Sequence, residues 1–221
     1  MQLIKPSIEF LDINSHGLRL IEKVGRTCYK SEDKITENSY IQFVEKLLGK
    51  KHLAMFEFGW MSYKVICDRG VTHELVRHRL FSFAQESTRY CNYKDGVSFI
   101  IPNWFKESRA EGMLGEWKFD TDLACNESYK DEEGLWFAQM LWNEKTYINL
   151  LNNSWTPQQA RSVLPNSLKT EINVGGNFRE WMHFFELRCS KKAHPQMQEI
   201  AYMLLKDVQK RVPIIFDSFG A

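Results

Sequence analysis

The chain has 221 residues, 43% of them apolar and 14% aromatic, with seven Trp and fifteen Phe. That supplies a sizeable core, and no polar or repetitive stretch marks a linker, so one domain over 1–221 is expected. A formal net charge of +1 argues against the broad basic excess of proteins that live on nucleic-acid backbones, and no segment reaches the roughly 18 consecutive apolar residues of a membrane span; the expectation is a cytoplasmic protein with neither nucleic acid nor membrane as partner.

Met1 to Asn14 opens as a strand, and Gly17 to Tyr29 carries Leu18, Ile21, Val24 and Cys28 at helical spacing. Thr36-Glu37-Asn38-Ser39 offers caps for a helix through Ile41, Val44, Leu47 and Leu48, which Gly49 ends. Phe58 to Asp68 is rich in β-branched and aromatic residues without helical period and predicts a strand, with Asp68-Arg69-Gly70 as its turn. From Thr72, read as an N-cap, Leu75, Val76 and Leu80 predict a helix on which the next basic residues begin. Val97 to Ile101 predicts a short strand, and the charged, glycine-dotted stretch 105–134 predicts the most variable loop. Leu135 to Leu151 predicts a helix, Thr156-Pro157 opens another that Pro165 stops, and Thr170 to Val174 predicts a strand broken by Gly175-Gly176. Phe178 to Arg188 and Pro195 to Lys210 complete the helices.

The densest chemistry lies between His73 and Tyr90, where three arginines, two histidines and two glutamates fall within eighteen residues. A core cannot bury that many polar groups unpaired, so an anionic ligand is their natural counterpart. Arginine's planar fork bonds phosphate oxygens in pairs, and Arg77, Arg79 and Arg89 are accompanied by the hydroxyls of Ser82, Ser87 and Thr88. No glycine-rich phosphate loop is present. His73 and His78 suggest a zinc site, but five residues on a helix set them about 140° apart, against about 40° for ligands four apart, and Arg77 occupies the productive position; no metal is expected. Five scattered cysteines without Cys-x-x-Cys spacing indicate neither a disulfide framework nor a zinc knuckle. Arg161 and Arg188 each have two readings, a cap on a helix C-terminus or a cation pointing into a site.

Arg77-His78-Arg79 followed after seven residues by Ser87, within Arg-His-Arg-Leu-Phe-Ser-Phe-Ala-Gln-Glu-Ser-Thr-Arg-Tyr, resembles the signature of the flavin-dependent thymidylate synthases. His52 with Phe56-Glu57, the run from Ala160 to Pro165, and Asn177-Phe178-Arg179 through Arg188 and His194 follow in the order that family shows, so the resemblance covers roughly Gly17 to Val212 apart from the charged loop. It implies an α/β (α+β) fold with helices packed around a central, largely antiparallel sheet, and a homotetramer with shared active sites. The implied reaction is methylation of dUMP to dTMP, with methylenetetrahydrofolate as carbon donor, FAD as hydride carrier and NADPH as reductant.

By the same resemblance His52, Glu57, Arg77, His78, Arg79, Gln85, Asn177, Arg179 and His183 line the flavin and folate side. Glu74, Arg77, Gln85, Glu86, Ser87, Thr88, Arg89, Arg161 and Arg188 contact the nucleotide. Arg188 is assigned the chemical step, as a fixed cation that favours negative charge on the uracil ring without an enzyme nucleophile. Glu74 stands where many members carry Gln, which replaces an amide donor by a charge, and His183 stands where others have Asn. A non-catalytic nucleotide or RNA binder, and a metal-dependent phosphate-ester hydrolase, are the alternatives to this reading.

Overall fold

The computed structural model describes residues 1–121 and 131–219. Helix accounts for 51% of it and strand for 18%, with an antiparallel sheet, which is the expected α/β class with a largely antiparallel sheet. The chain divides into two compact units, each assembled from three segments. The first comprises Met1–Pro6, Ile66–His73 and Gln85–Ile172; the second comprises Ser7–Val65, Glu74–Ala84 and Asn173 onward. No described helix is long and apolar enough to cross a membrane.

In the first unit β1 (Gln2–Ile4) is the middle of a three-stranded sheet, parallel to β5 (Ser98–Ile100) and antiparallel to the two-residue β6 (Gly115–Glu116). The register Leu3↔Phe99 places two fully apolar side chains together in a core completed by Val97, Phe137, Leu141, Tyr147 and Leu168. Phe137, Leu141 and Tyr147 come from α5 (Glu132–Asn152), whose start is fixed by Asp131 accepting the Gly134 N–H at 2.9 Å, with Glu132 and Glu133 in the first turn favoured by the helix dipole. Farther on, the Gln159 side chain accepts the Thr156 backbone N–H at 2.9 Å and Pro157 takes the first helical position, so a short α6 (Pro157–Ala160) forms and tightens into a 3₁₀ turn at Arg161–Val163.

The second unit carries most of a four-stranded sheet of order β2 (Ser7–Ile13), β3 (Trp60–Asp68), β7 (Lys169–Asn177), β4 (Ser82–Gln85). Met61, Tyr63 and Val65 alternate into its core. Against them lies α7 (Phe178–Arg188), started by Asn177 accepting the Glu180 N–H at 2.8 Å and anchored by Trp181 Nε1 donating to the Met61 carbonyl at 3.2 Å. The helices α1 (Gly17–Tyr29), α2 (Ser39–Gly49) and α8 (Pro195–Arg211) follow the predicted bounds closely, and α8 buries Met197, Ile200, Ala201, Leu204, Leu205 and Val208 as one stripe.

Five local expectations are corrected. Asp68-Arg69-Gly70 is not a turn after the strand: Arg69 opens α3 (Arg69–Leu75), because Asp68 Oδ1 accepts the Val71 N–H at 2.7 Å and acts as the cap, leaving Thr72 inside with its hydroxyl on the Arg69 carbonyl. That helix stops at Leu75, so Arg77, His78 and Arg79 lie in successive turns, closed by His78 N–H to the Leu75 carbonyl and Phe81 N–H to the His78 carbonyl. Ser82–Gln85, read as part of the motif, is a strand. Gly175-Gly176 does not break β7; the strand runs through it, and a Cβ on Gly176 would stand 2.1 Å from the Phe81 ring, so glycine is there for close approach. The charged stretch 105–134 contains α4 (Glu107–Met113) and β6, and its residues 122–130 lie outside the described residues.

Candidate functional site

In the first unit the chain leaving β4 forms a polar cluster. Gln85 Nε2 donates to Thr72 Oγ1 at 3.1 Å and Thr170 Oγ1 at 3.2 Å, so its amide nitrogen is committed to holding the strand end. Glu86 accepts from the Tyr93 hydroxyl at 2.8 Å and from Lys169 Nζ at 3.3 Å, and Lys169 also pairs with Glu171. Burial and the adjoining Glu86 carboxylate raise the Tyr93 phenol, which therefore stays a donor.

Beyond Glu86 the donors remain open. Ser87 Oγ accepts the Arg89 backbone N–H at 3.3 Å and keeps its own proton to give. Arg161 Nη1 donates to Thr88 Oγ1 at 3.1 Å, and Arg89 Nε donates to Gln158 Oε1 at 3.4 Å while its guanidinium lies over the Tyr90 ring, 5.4 Å from the centroid. Each of these guanidiniums has five N–H donors and spends one in these bonds. A turn of backbone, two hydroxyls and two arginines with four donors each to spare could together serve a phosphate dianion.

The second unit holds a different arrangement around Arg188, the last residue of α7. Its Nη1 donates to Glu74 Oε2 at 2.7 Å, its Nη2 to the Glu74 carbonyl at 3.3 Å, and its Nε to His78 Nε2 at 2.9 Å. His78 is 5% exposed; its other nitrogen, Nδ1, lies 3.5 Å from Glu180 Oε1. Burial, then the charges of Arg188 and His183, push the His78 pKa down to about 4, so at neutral pH the ring is uncharged and the Glu180 contact is polar rather than ionic. Burial pushes Glu180 up, partly offset by His183. Arg77 and Arg79 are exposed, and their side chains have no hydrogen-bond or ion-pair partner among the described residues; with His78, Leu80, His183 and Arg188 they line a shallow pocket of about 330 Å³.

A larger cavity of about 570 Å³ shares Leu80, Glu180 and His183 with that pocket and is also lined by Leu53, Glu57, Asn177, Arg179 and Met182. Arg179 Nη1 and Glu57 Oε1 form an ion pair of 2.6 Å across it, both side chains 49% exposed. Asn177 gives its oxygen to the helix cap, which leaves its amide N–H groups as donors. His52 is not among the residues that line this cavity; its Nδ1 lies 3.1 Å from the Tyr29 hydroxyl.

Of the residues singled out in the sequence, the first unit thus gathers Gln85, Glu86, Ser87, Thr88, Arg89 and Arg161. The second gathers Glu74, Arg77, His78, Arg79 and Arg188 at one end of a groove, and Glu57, Asn177, Arg179 and His183 along the rest. Sequence reasoning missed Gln158, Thr72, Thr170, Lys169 and Glu180. Gln158, adjacent to Pro157 in a capped helical turn, had a local signal; the others are polar residues on regular elements and had none.

The fold and these clusters define an α/β protein with a cluster of open polar donors in one unit and an arginine-lined groove in the other. Similarity to known proteins is more specific. The model of the thymidylate synthase complementing protein family matches residues 9–214, a span that covers most of both units, and the chain belongs to that family. It is 32% identical to a flavin-dependent thymidylate synthase of Corynebacterium aurimucosum over 93% of this chain and 81% of that one, and 30% identical to one of Mycobacterium sp. strain KMS over 98% and 85%. Among solved structures, the UMP/dUMP methylase PolB of Streptomyces cacaoi, bound with 5-Br dUMP, has a TM-score of 0.77 at 23% identity over 100% of this chain and 98% of that one. The Helicobacter pylori flavin-dependent thymidylate synthase complexed with FAD and dUMP has a TM-score of 0.75 at 22% identity, over 97% and 100%.

Proposed function

We propose that this protein is a flavin-dependent thymidylate synthase that converts dUMP to dTMP. The observation that carries the reading is Arg188, a guanidinium held at three of its five donors by Glu74 and His78 in the wall of the groove. A cation fixed in that way needs no reorganisation when negative charge develops on a pyrimidine ring beside it. Arg161, Arg89, Thr88 and Ser87 hold the phosphate. The chemistry proceeds without a thiol nucleophile, and burial supports this by raising Cys189 to about 11 and Cys67 still further.

The 570 Å³ cavity suits FAD: Leu53, Leu80 and Met182 give it apolar wall for a flat ring, and Arg179, His183 and the Asn177 amide give it donors for ring heteroatoms or phosphates. When bound, FAD supplies the reducing equivalents taken from NADPH, and methylenetetrahydrofolate supplies the carbon. Arg179 and Asn177 orient the flavin, Arg77 and Arg79 add positive charge at the end of the groove, and the neutral His78 braces Arg188 without competing for its charge. A homotetramer in which neighbouring subunits complete shared sites belongs to the same reading. In this reading the whole chain is one catalytic domain, and the enzyme works in the cytoplasm.

The test is an absorbance spectrum of the protein with FAD, followed by anaerobic NADPH with and without dUMP, and assay of dTMP after methylenetetrahydrofolate is added. A yellow protein that bleaches and forms dTMP is expected. A protein that holds no FAD under any condition, yet binds nucleic acid in a salt-dependent way, would return the arginines to a non-catalytic phosphate-binding role.

A further inference from the structure

Glu74 holds Arg188 from two directions at once. Its carboxylate takes an Nη1 proton at 2.7 Å and its own carbonyl takes an Nη2 proton at 3.3 Å. The same carbonyl accepts the Arg77 N–H at 3.1 Å, so it is part of the turn that ends α3 and cannot follow the guanidinium if that moves. On the other side His78 accepts from Nε, and its ring is fixed by edge contact with Phe184 at 5.1 Å and tilted contact with Phe81 at 6.0 Å. Three committed donors out of five leave one N–H on Nη1 and one on Nη2 for a ligand. An arginine side chain otherwise has several freely rotating bonds, and losing the carboxylate would return much of that freedom.

We propose that Glu74 is the positioning residue of Arg188: its carboxylate sets the plane and direction in which the guanidinium offers its two remaining N–H groups to the pyrimidine. The proposal rests on the reading of Arg188 as the group that acts on the uracil ring. It replaces direct nucleotide contact as the role of Glu74, since a carboxylate aimed at an anionic nucleotide repels it, whereas one aimed at Arg188 is matched.

The test uses the FAD-loaded enzyme with Glu74→Ala and Glu74→Gln. Steady-state kcat and KM for dUMP are read alongside hydrogen exchange of the Arg188 Nε–H in ¹⁵N-arginine-labelled protein, its resonance assigned by its loss in Arg188→Lys. Glu74→Ala is expected to lower kcat on the order of 100-fold with KM changed less than about threefold, and to speed Nε–H exchange. Glu74→Gln keeps an oxygen acceptor in place and recovers kcat to within roughly tenfold of wild type. A raised KM at unchanged kcat in Glu74→Ala, or an Arg188 resonance indifferent to the substitution, would overturn the proposal. Wild-type protein that makes no dTMP while Glu74→Ala still releases the Arg188 Nε–H would remove the catalytic reading and leave the positioning contact standing.

Discussion

Arg188 Nε donates to His78 Nε2 at 2.9 Å, which makes that ring nitrogen an acceptor and places the proton of the neutral imidazole on Nδ1, toward Glu180. The contact ties the protonation state of a buried histidine to the orientation of the arginine.

Acid should therefore weaken the protein at this point. The folded-state pKa of His78 is about 4, below the roughly 6.5 of an unfolded histidine. Between those values the unfolded chain binds the proton and the folded one does not, so the contribution is fully present above pH about 6.5 and is lost as pH falls through about 4. The loss is at most about 3 kcal/mol. Urea unfolding across that range, compared with His78→Gln, measures it; the variant should show a shallower pH dependence, and an equal slope in both proteins would contradict the assignment.

Arg188→Ala leaves the Glu74 carboxylate and His78 Nε2 without their partner and removes the cation proposed to act on the pyrimidine. dTMP formation is predicted to fall by at least about 10²–10³, the usual effect of removing one electrostatic stabiliser, while FAD remains bound. Product assay and flavin absorbance after gel filtration check the two halves separately.

Arg161→Ala removes the donor to Thr88 Oγ1 and a charge from the phosphate receptor. A hydrogen bond to a charged group contributes about 1.5–3 kcal/mol, so dUMP affinity should drop roughly 10- to 100-fold. Thr88→Val should cost less, since it only releases Arg161. Calorimetric titration with dUMP decides it, and unchanged affinity in Arg161→Ala would remove this residue from the receptor.

Arg179→Ala should weaken flavin retention with little change in Tm. Its ion pair with Glu57 is half exposed on both sides, and exposed pairs contribute about 0–1 kcal/mol, so a large affinity loss would reflect ligand contact rather than unfolding. Flavin fluorescence titration together with thermal melting separates the two.

Gly176→Ala should destabilise by about 1–3 kcal/mol. The new methyl would fall on Phe81, whose ring is wedged against Trp181 at 4.6 Å and Phe184 at 5.9 Å and has nowhere to retreat. Gly49→Ala, at the end of α2 with open space around it, should instead be neutral or stabilising by up to about 1 kcal/mol. Parallel urea denaturations of both variants test the contrast.

The long helices were legible because each carries its own signals. Phe178 to Arg188 has a capping Asn177 and an apolar stripe, and α5 has an acidic start and recurrent aromatics, so periodicity and capping suffice without knowledge of partners. Around the basic motif the same reasoning failed. Leu75, Val76 and Leu80 continue a helical period, yet the helix ends at Leu75, and Ser82–Gln85 joins a sheet whose other strands come from distant parts of the chain. Gly175-Gly176 reads locally as a break, but strand pairing carries β7 through it and the missing side chains admit Phe81 and Trp60.

By itself the sequence determined the polar inventory: an arginine-rich motif too polar to bury unpaired, its hydroxyl companions, and the family to which the chain belongs. Residue type and short-range spacing carry that information. Tertiary structure alone decided that Arg188 meets Glu74 and His78, more than a hundred residues away, and that Arg161 meets Thr88. Hydrogen bonds between residues far apart in the chain depend on backbone geometry assembled from many weak contacts, and no local pattern of residues encodes which donor faces which acceptor.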